Sequence, residues 1–295
     1  MNKVIIGTGL TGLVGSRVVE LNQDTYTFEN LDLATGVDIT KADQVRGAIG
    51  ESKADTVVHF AAFTNVSEAF KQTDDESGSC YQVNVVGTQN IASACQKNGK
   101  FLIHISTDFI FDGDNPPATG YTEDMIPQPI EWYGKTKLWA EEKVIESGAD
   151  YTILRLSYPY RAAHPTRPDI IRSIISKLKE GKMYPPFADH TITPTFIDDI
   201  AHVIDRVLTK KPAGETFHLV GSSWHTDYEI ALLVQEVFEL PGEIKPGSLK
   251  EYLKTNARPY QQTMKVSNLK LITELGYTPK TLKEGLLEIK QQLSV

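Results

Sequence analysis

Tyr133 and Lys137 stand four positions apart in "EWYGKTKLWAEE", a spacing that puts a phenol and an ammonium on one face of a helix. Upstream, "HISTDFIFDG" carries Ser106, Thr107 and Asp108 in a row. These residue types suit reduction of a ketone, which takes a hydride from a cofactor and a proton for the developing alkoxide. A free tyrosine, with a pKa of about 10, changes protonation state with difficulty at neutral pH. A neighbouring ammonium favours the phenolate and brings that value toward the working range. The hydroxyl of Thr107 or Ser106 can hydrogen-bond the carbonyl oxygen and hold it in line. Alone the pair is weak, because a chain of this composition holds about one Tyr-x-x-x-Lys by chance. A tyrosine packed on a lysine stem is the ordinary alternative. Placement in the fold decides between them.

The elements that would position these groups are legible. "FLIHIS" at 101–106 reads as a strand and 131–147 as a helix stopped by Gly148. "KVII", "TYTF", "TVVHF" at 56–60 and "YTILRLS" read as further strands, with helices at 13–21 and at 81–97, the latter closed by Gly99. Strand–helix alternation predicts a parallel sheet covered on both faces. After Tyr160 the texture changes. "RAAHPTRP" and "MYPPFADHTITPT" are proline-rich loops around a helix near 169–180, followed by a helix at "FIDDIAHVIDRVL" and a strand at "ETFHLV". Thr226 and Glu229 form a capping box at the next helix. The predicted fold class is α/β: a doubly wound parallel sheet (Rossmann) over 1–160, to which 191–222 returns. Residues 161–190 and 223–295 form a smaller, interleaved substrate-binding part, with a cleft between the two. In such sheets ligands sit beyond the carboxyl ends of the strands, where Ser106 to Asp108 lie.

The glycine run "VIIGTGLTGLVGSRV" fits two patterns. Gly7, Gly9 and Gly12 spell G-x-G-x-x-G; Gly9, Gly12 and Gly15 spell G-x-x-G-x-x-G. Either one, between a strand and a helix, suits a dinucleotide whose pyrophosphate rests on the helix N-terminus. Asp32 follows Gly12 at the interval of about 20 residues expected of the carboxylate that takes the adenosine ribose hydroxyls; Glu29 is the rival. No arginine follows Asp32 closely, so nothing awaits a 2′-phosphate. The cofactor expected is NADH or NADPH, with NADH at least as favoured.

Together, the Gly9/Gly12/Gly15 spacing, "STDFIFDG" and Tyr133-x-x-x-Lys137 resemble the extended short-chain dehydrogenase/reductases. Within them the chain is most similar to the dTDP-4-dehydrorhamnose reductase family. "HFAAFTNVSEAF", "VNVVGTQNIA", "YGKTKLWAE", "LRLSYPY", "ITPTFIDDIA" and "ARPYQQTMKVSNL" have counterparts there in the same order, nearly end to end. The resemblance implies NAD(P)H-dependent reduction of the C4 ketone of a nucleotide-linked 6-deoxyhexose. It makes Tyr133 the proton donor, Lys137 the group that binds the nicotinamide ribose and tunes Tyr133, and Thr107 the support of the carbonyl. Asp108 would touch the sugar. Gly12, Leu13 and Val14 would contact the pyrophosphate, Asp32 the ribose, Asp38 and Ile39 the adenine, and Ala62, Phe63 and Thr64 the cofactor at the end of the third strand. This register leaves Gly7 incidental. Two departures touch the substrate side: Tyr158 stands where the family has Trp, and Phe109 where it has Tyr. The chemistry is therefore better specified than the sugar or its nucleotide.

Composition narrows the partners. Of 295 residues 40% are hydrophobic and 23% charged, which suits a soluble globular protein. The net charge of −8 disfavours nucleic acid or an anionic membrane as partner, while an anionic small molecule needs only one local basic pocket. Cys80 and Cys95 have no metal-like spacing and read as buried thiols of a reducing cytosol; no metal is expected. No apolar run approaches the ~20 residues that span a bilayer, and "VII" is too short for a signal-peptide core. The expected location is the cytoplasm and the expected partner a nucleotide-sugar substrate; a homodimer is left open.

Rival readings are a 4,6-dehydratase, an epimerase, and a non-catalytic regulatory subunit like the beta subunit of methionine adenosyltransferase, which resembles the same family. The dehydratases carry Asp-Glu where this chain has Asp108-Phe109. Arg258 in "ARPYQ" suits pairing with a nucleotide diphosphate, against a surface salt bridge. His59 and His104 read as hydrogen-bonded core or strand-end groups, Asp198 and Asp199 as helix caps, and Trp132 and Trp139 as packing.

Overall fold

Six short runs dominated by β-branched and aromatic residues assemble the sheet in the computed structural model, which describes residues 2–294. They are Lys3–Thr8 (β1), Tyr26–Asn30 (β2), Thr56–His59 (β3), Phe101–Thr107 (β4), Tyr151–Leu156 (β5) and Glu215–Leu219 (β6). Their order is β2-β1-β3-β4-β5-β6, and every neighbouring pair is parallel. The chain moves outward from β1 to β2, then returns to place β3 on the other side of β1. Ligands of doubly wound sheets settle at such a reversal, beyond the strand ends.

Alternation along the strands feeds two cores. Phe101 and Ile103 of β4 join Ile5, Val58 and Leu154 against the helices Leu13–Asn22 (α1) and Ile197–Lys210. Leu102 turns the other way, with Ile6, Val57 and Ile153, onto Ala42–Glu51 (α2) and Thr88–Lys97 (α3). The helix Trp132–Glu146 (α4) covers that same side and adds Val144 to it. The expected helix over 81–97 contains a π-helical segment, Gln82–Gly87, between Ser79–Tyr81 and α3. Its Asn84 accepts from Phe63 N (2.8 Å) and donates to Phe63 O (3.2 Å) and Thr136 Oγ1 (3.0 Å). The wider turn thus ties the loop after β3 to α4, and such insertions gather at functional places.

A third core joins Tyr160, Ile171, Ile174, Ile192 and Phe196 to residues of two later helices, Asp227–Phe238 and Leu282–Leu293. The first of these opens with the Thr226–Glu229 capping box. The tail also serves the sheet, because Leu271 and Leu275 of the helix Leu269–Leu275 enter the first core. Among the described residues no helix is long and apolar enough to cross a membrane.

Candidate active site

The glycine run becomes a tight turn from β1 into α1. Gly9 has φ +67°, a left-handed conformation, and a Cβ there would lie 2.8 Å from Ala61 N. At Gly15 a Cβ would meet Gly9 O at 2.6 Å, so α1 lies closer to the turn than a side chain permits. Gly12 N donates to Gly9 O (3.0 Å), and Gly12 is the N-cap of α1 with no side-chain capping bond. The first N–H groups of α1 are left for an anion. Gly7 is not idle, because the space a Cβ would take there is filled by the Leu10 side chain.

At the far end of the cleft, β4 runs into a 3₁₀ turn at Asp108–Ile110, and α4 starts against it. Glu131, 3% exposed, caps α4 by accepting from Tyr133 N (2.9 Å) and Gly134 N (2.6 Å). Gly134 lets the helix touch the turn: a Cβ there would overlap Phe109 O. Tyr133 and Lys137 are thereby aimed at the end of β4, and Lys137 Nζ donates to Ile105 O (2.7 Å). Asp108 is buried and accepts from Ser157 Oγ (2.6 Å) and Thr107 Oγ1 (3.3 Å).

Burial sets the electrostatics. It pushes the Tyr133 phenol above the ordinary tyrosine value, against a hydrogen bond from Thr107. Lys137 is lowered by burial to about 8, with Glu141 and Cys80 acting the other way. Asp108 is raised by burial to about 6, opposed by the bonds from Ser157 and Thr107. Here the structure corrects the expectation that Lys137 brings Tyr133 down. The Lys137 ammonium serves the Ile105 carbonyl, and desolvation of the phenol dominates. A phenol held neutral is the form that donates a proton.

Gly9, Gly12, Leu13, Val14, Gly15, Ala62, Thr64, Thr107, Asp108, Tyr133, Lys137 and Tyr158 all line one cleft of about 420 Å³. Tyr158 has φ +38°, and Thr195 pins its surroundings by bonding Ser157 O (2.6 Å) and Tyr158 O (3.4 Å). Its ring lies 5.9 Å from Phe109, which lies 5.6 Å from Tyr133. Phe63 packs beside Trp132 and Tyr133. Asp32, Asp38, Ile39 and Arg258 lie outside that lining. Asp32 caps the turn Leu33–Thr35 and accepts from Asn30 Nδ2 (2.6 Å), at the end of β2. The rival Glu29 is held by Ser52. Asp38 accepts from Thr40, and Ile39 packs in the core on Gly87. Arg258 stacks on Tyr260, 3.8 Å from the ring centroid.

Other expectations are revised. His59 bonds Thr8 Oγ1 (2.6 Å) and Thr88 Oγ1 (3.0 Å), but neither ring nitrogen of buried His104 has a partner among the described residues. Asp198 and Asp199 do not cap their helix. Asp198 pairs with Arg17 (2.7 Å), and Asp199 accepts from Tyr277 Oη (2.6 Å). Trp132 and Trp139 do pack edge to face, 5.4 Å apart. Sequence reading missed Ser157 and Arg167; both sit near the site only because of the fold, with no local motif.

Among known proteins, the RmlD substrate binding domain family matches residues 2–295. Methionine adenosyltransferase 2 subunit beta of Rattus norvegicus is 30% identical over 250 residues, 80% of this chain and 72% of that protein. A probable low-salt glycan biosynthesis reductase of Haloferax volcanii is 30% identical over 301 residues, 97% of each chain. The dTDP-4-dehydrorhamnose reductase of Bacillus anthracis, solved in complex with NADP, superposes with a TM-score of 0.86 at 28% identity, covering 99% of this chain and 100% of that one.

Proposed function

This chain belongs to the RmlD substrate binding domain family, and on that premise we propose that it reduces the C4 ketone of a nucleotide-linked deoxysugar, using NADH or NADPH. The observation that carries the reading is the single cleft with uncapped α1 N–H groups at one end and Thr107, Tyr133 and Lys137 at the other. The turn fits a dinucleotide, since the positions of Gly9 and Gly15 leave no room for side chains and Gly12 leaves the helix end open. The reduced nicotinamide supplies the hydride. Thr107 hydrogen-bonds the ketone oxygen, and Tyr133 gives that oxygen its proton as charge develops. Lys137, charged at neutral pH, holds the nicotinamide ribose and stabilises the phenolate left on Tyr133, which solvent reprotonates. Asp108 accepts from a sugar hydroxyl. Tyr158 and Phe109 form an aromatic wall beside the sugar, and Arg258 lies toward the nucleotide.

The B. anthracis reductase supports dTDP-4-dehydrorhamnose as the first substrate to try. The likeness to the rat beta subunit favours a second reading, a regulatory subunit, against which stands the intact Thr107, Tyr133 and Lys137 set. The test is consumption of NADH or NADPH with dTDP-4-dehydrorhamnose. A reductase oxidises one NADH per ketone, whereas an epimerase or dehydratase shows no net loss. Tyr133→Phe should lower kcat at least a hundredfold with the NADH Kd within twofold of wild type. Retained turnover overturns the role of Tyr133; NADH binding without consumption of any ketosugar favours the regulatory reading.

A further inference from the structure

The N–H groups at the head of α1 are neutral donors, whereas a dinucleotide pyrophosphate carries two negative charges. Two cations line the cleft, Lys137 and Arg167. Lys137 lies at the catalytic end, bound to Ile105 O. Arg167 comes from the proline-rich loop after Tyr160 and also lines an adjoining hollow of about 470 Å³ with Leu13, Thr64, Thr166 and Pro168. It therefore faces the first residue of α1 and the loop after β3.

The loop is built to hold it there. Arg161 bolts it to the side of α1, donating to Ser16 Oγ (2.9 Å), Leu13 O (3.4 Å) and both carboxylate oxygens of Glu20 (2.9 and 2.7 Å). His164 Nδ1 accepts from the backbone N–H of Thr166 (3.2 Å) and of Arg167 (3.1 Å). Arg172 ties down the carbonyls of His164 (3.0 Å) and Arg167 and pairs with buried Asp169 (2.7 Å). Three side chains thus pin the backbone around Arg167. Its own guanidinium is exposed and has no hydrogen-bond or ion-pair partner among the described residues.

We propose that Arg167 clamps the cofactor pyrophosphate from the side opposite the glycine turn, so that the diphosphate lies between α1 and the loop after Tyr160. The inference rests on the dinucleotide reading above. A planar guanidinium matches two phosphate oxygens at once, and in a chain of net charge −8 one local cation of this kind opposes long-range repulsion of the anion. A diphosphate could also belong to the sugar nucleotide; the placement beside Leu13 and Thr64 commits to the cofactor.

The experiment is equilibrium binding of NADH, ADP and AMP, with the sugar-nucleotide KM measured alongside, for wild type, Arg167→Ala and Arg167→Lys. Arg167→Ala should bind NADH and ADP at least tenfold more weakly and AMP within threefold of wild type. Its salt dependence for NADH should be shallower, and Arg167→Lys should recover part of the loss. Unchanged thermal stability of the ligand-free variants shows that the fold is intact. NADH affinity of Arg167→Ala within twofold of wild type overturns the clamp and leaves the dinucleotide site standing. The same holds if only the sugar-nucleotide KM rises. Failure of the wild type to bind either NADH or NADPH overturns the dinucleotide site and the clamp together.

Discussion

Asp108→Asn tests how the protein keeps a carboxyl group at the bottom of its cleft. Asp108 is 1% exposed, and burial raises it from an ordinary 3.8 to about 6. Between those values the folded state holds a proton that the unfolded chain has released, so stability falls as pH rises through the window. At about 1.4 kcal/mol per pH unit, the full penalty above pH 7 is ~3 kcal/mol. Asparagine has the same shape and never ionises, and the hydroxyls of Ser157 and Thr107 can turn to serve an amide. Urea denaturation at pH 7.5 should therefore find Asp108→Asn more stable by ~3 kcal/mol, shrinking to ~1 kcal/mol near pH 4.5. In a thermal melt near neutral pH this corresponds to a gain of about 5 °C for a chain of this size. Ketosugar turnover should fall in the same variant, because the acceptor offered to the sugar becomes weaker. A stability difference that is constant from pH 4.5 to 7.5, or a variant less stable at pH 7.5, refutes the argument that desolvation of this carboxylate opposes folding.

Two further substitutions probe the positioning of the cofactor and of Tyr133. Asp32→Ala removes the cap on the turn Leu33–Thr35, whose N–H groups lie 2.9 and 3.2 Å from Oδ1, and should cost about 1 kcal/mol in denaturation. The same variant should weaken NADH more than NADPH in a titration; equal losses remove the ribose role of Asp32. Gly134→Ala drives a methyl group into Phe109 O, and should destabilise by about 1–3 kcal/mol while lowering kcat more than NADH affinity. Wild-type kcat in that variant shows that contact between α4 and the turn after β4 does not hold Tyr133.

The parts legible in the sequence are those encoded locally. Apolar runs of four to seven residues announce strands, and Gly99 and Gly148, both at positive φ, stop the helices they were expected to stop. The steric demands at Gly9 and Gly15 are local, arising within the turn they form and where that turn meets Ala61. What was missed depends on distant chain or on competition between effects. Arg167 is brought to α1 by contacts distant in sequence, among them those of Arg161 to Ser16 and Glu20. The π-helical turn answers to the loop at Phe63, and Ser157 meets Asp108 across two strand ends. The direction of the Tyr133 shift follows from burial, which residue types at helical spacing do not reveal.

The interleaving of the late chain with the sheet has a consequence during synthesis. β6, the helix at 197–210 and the helix at 269–275 bring Ile197, Ile200, Val203, Phe217, Leu219, Leu271 and Leu275 to cover one face of the first five strands. Until those residues have left the ribosome, Ile5, Val58, Ile103 and Leu154 have only α1 on that face. At about 5–20 residues per second, 41 residues separate the end of β5 from the first of that cover at Ile197 and 113 from the last at Leu269, so the nascent half spends seconds with part of an apolar sheet face in water.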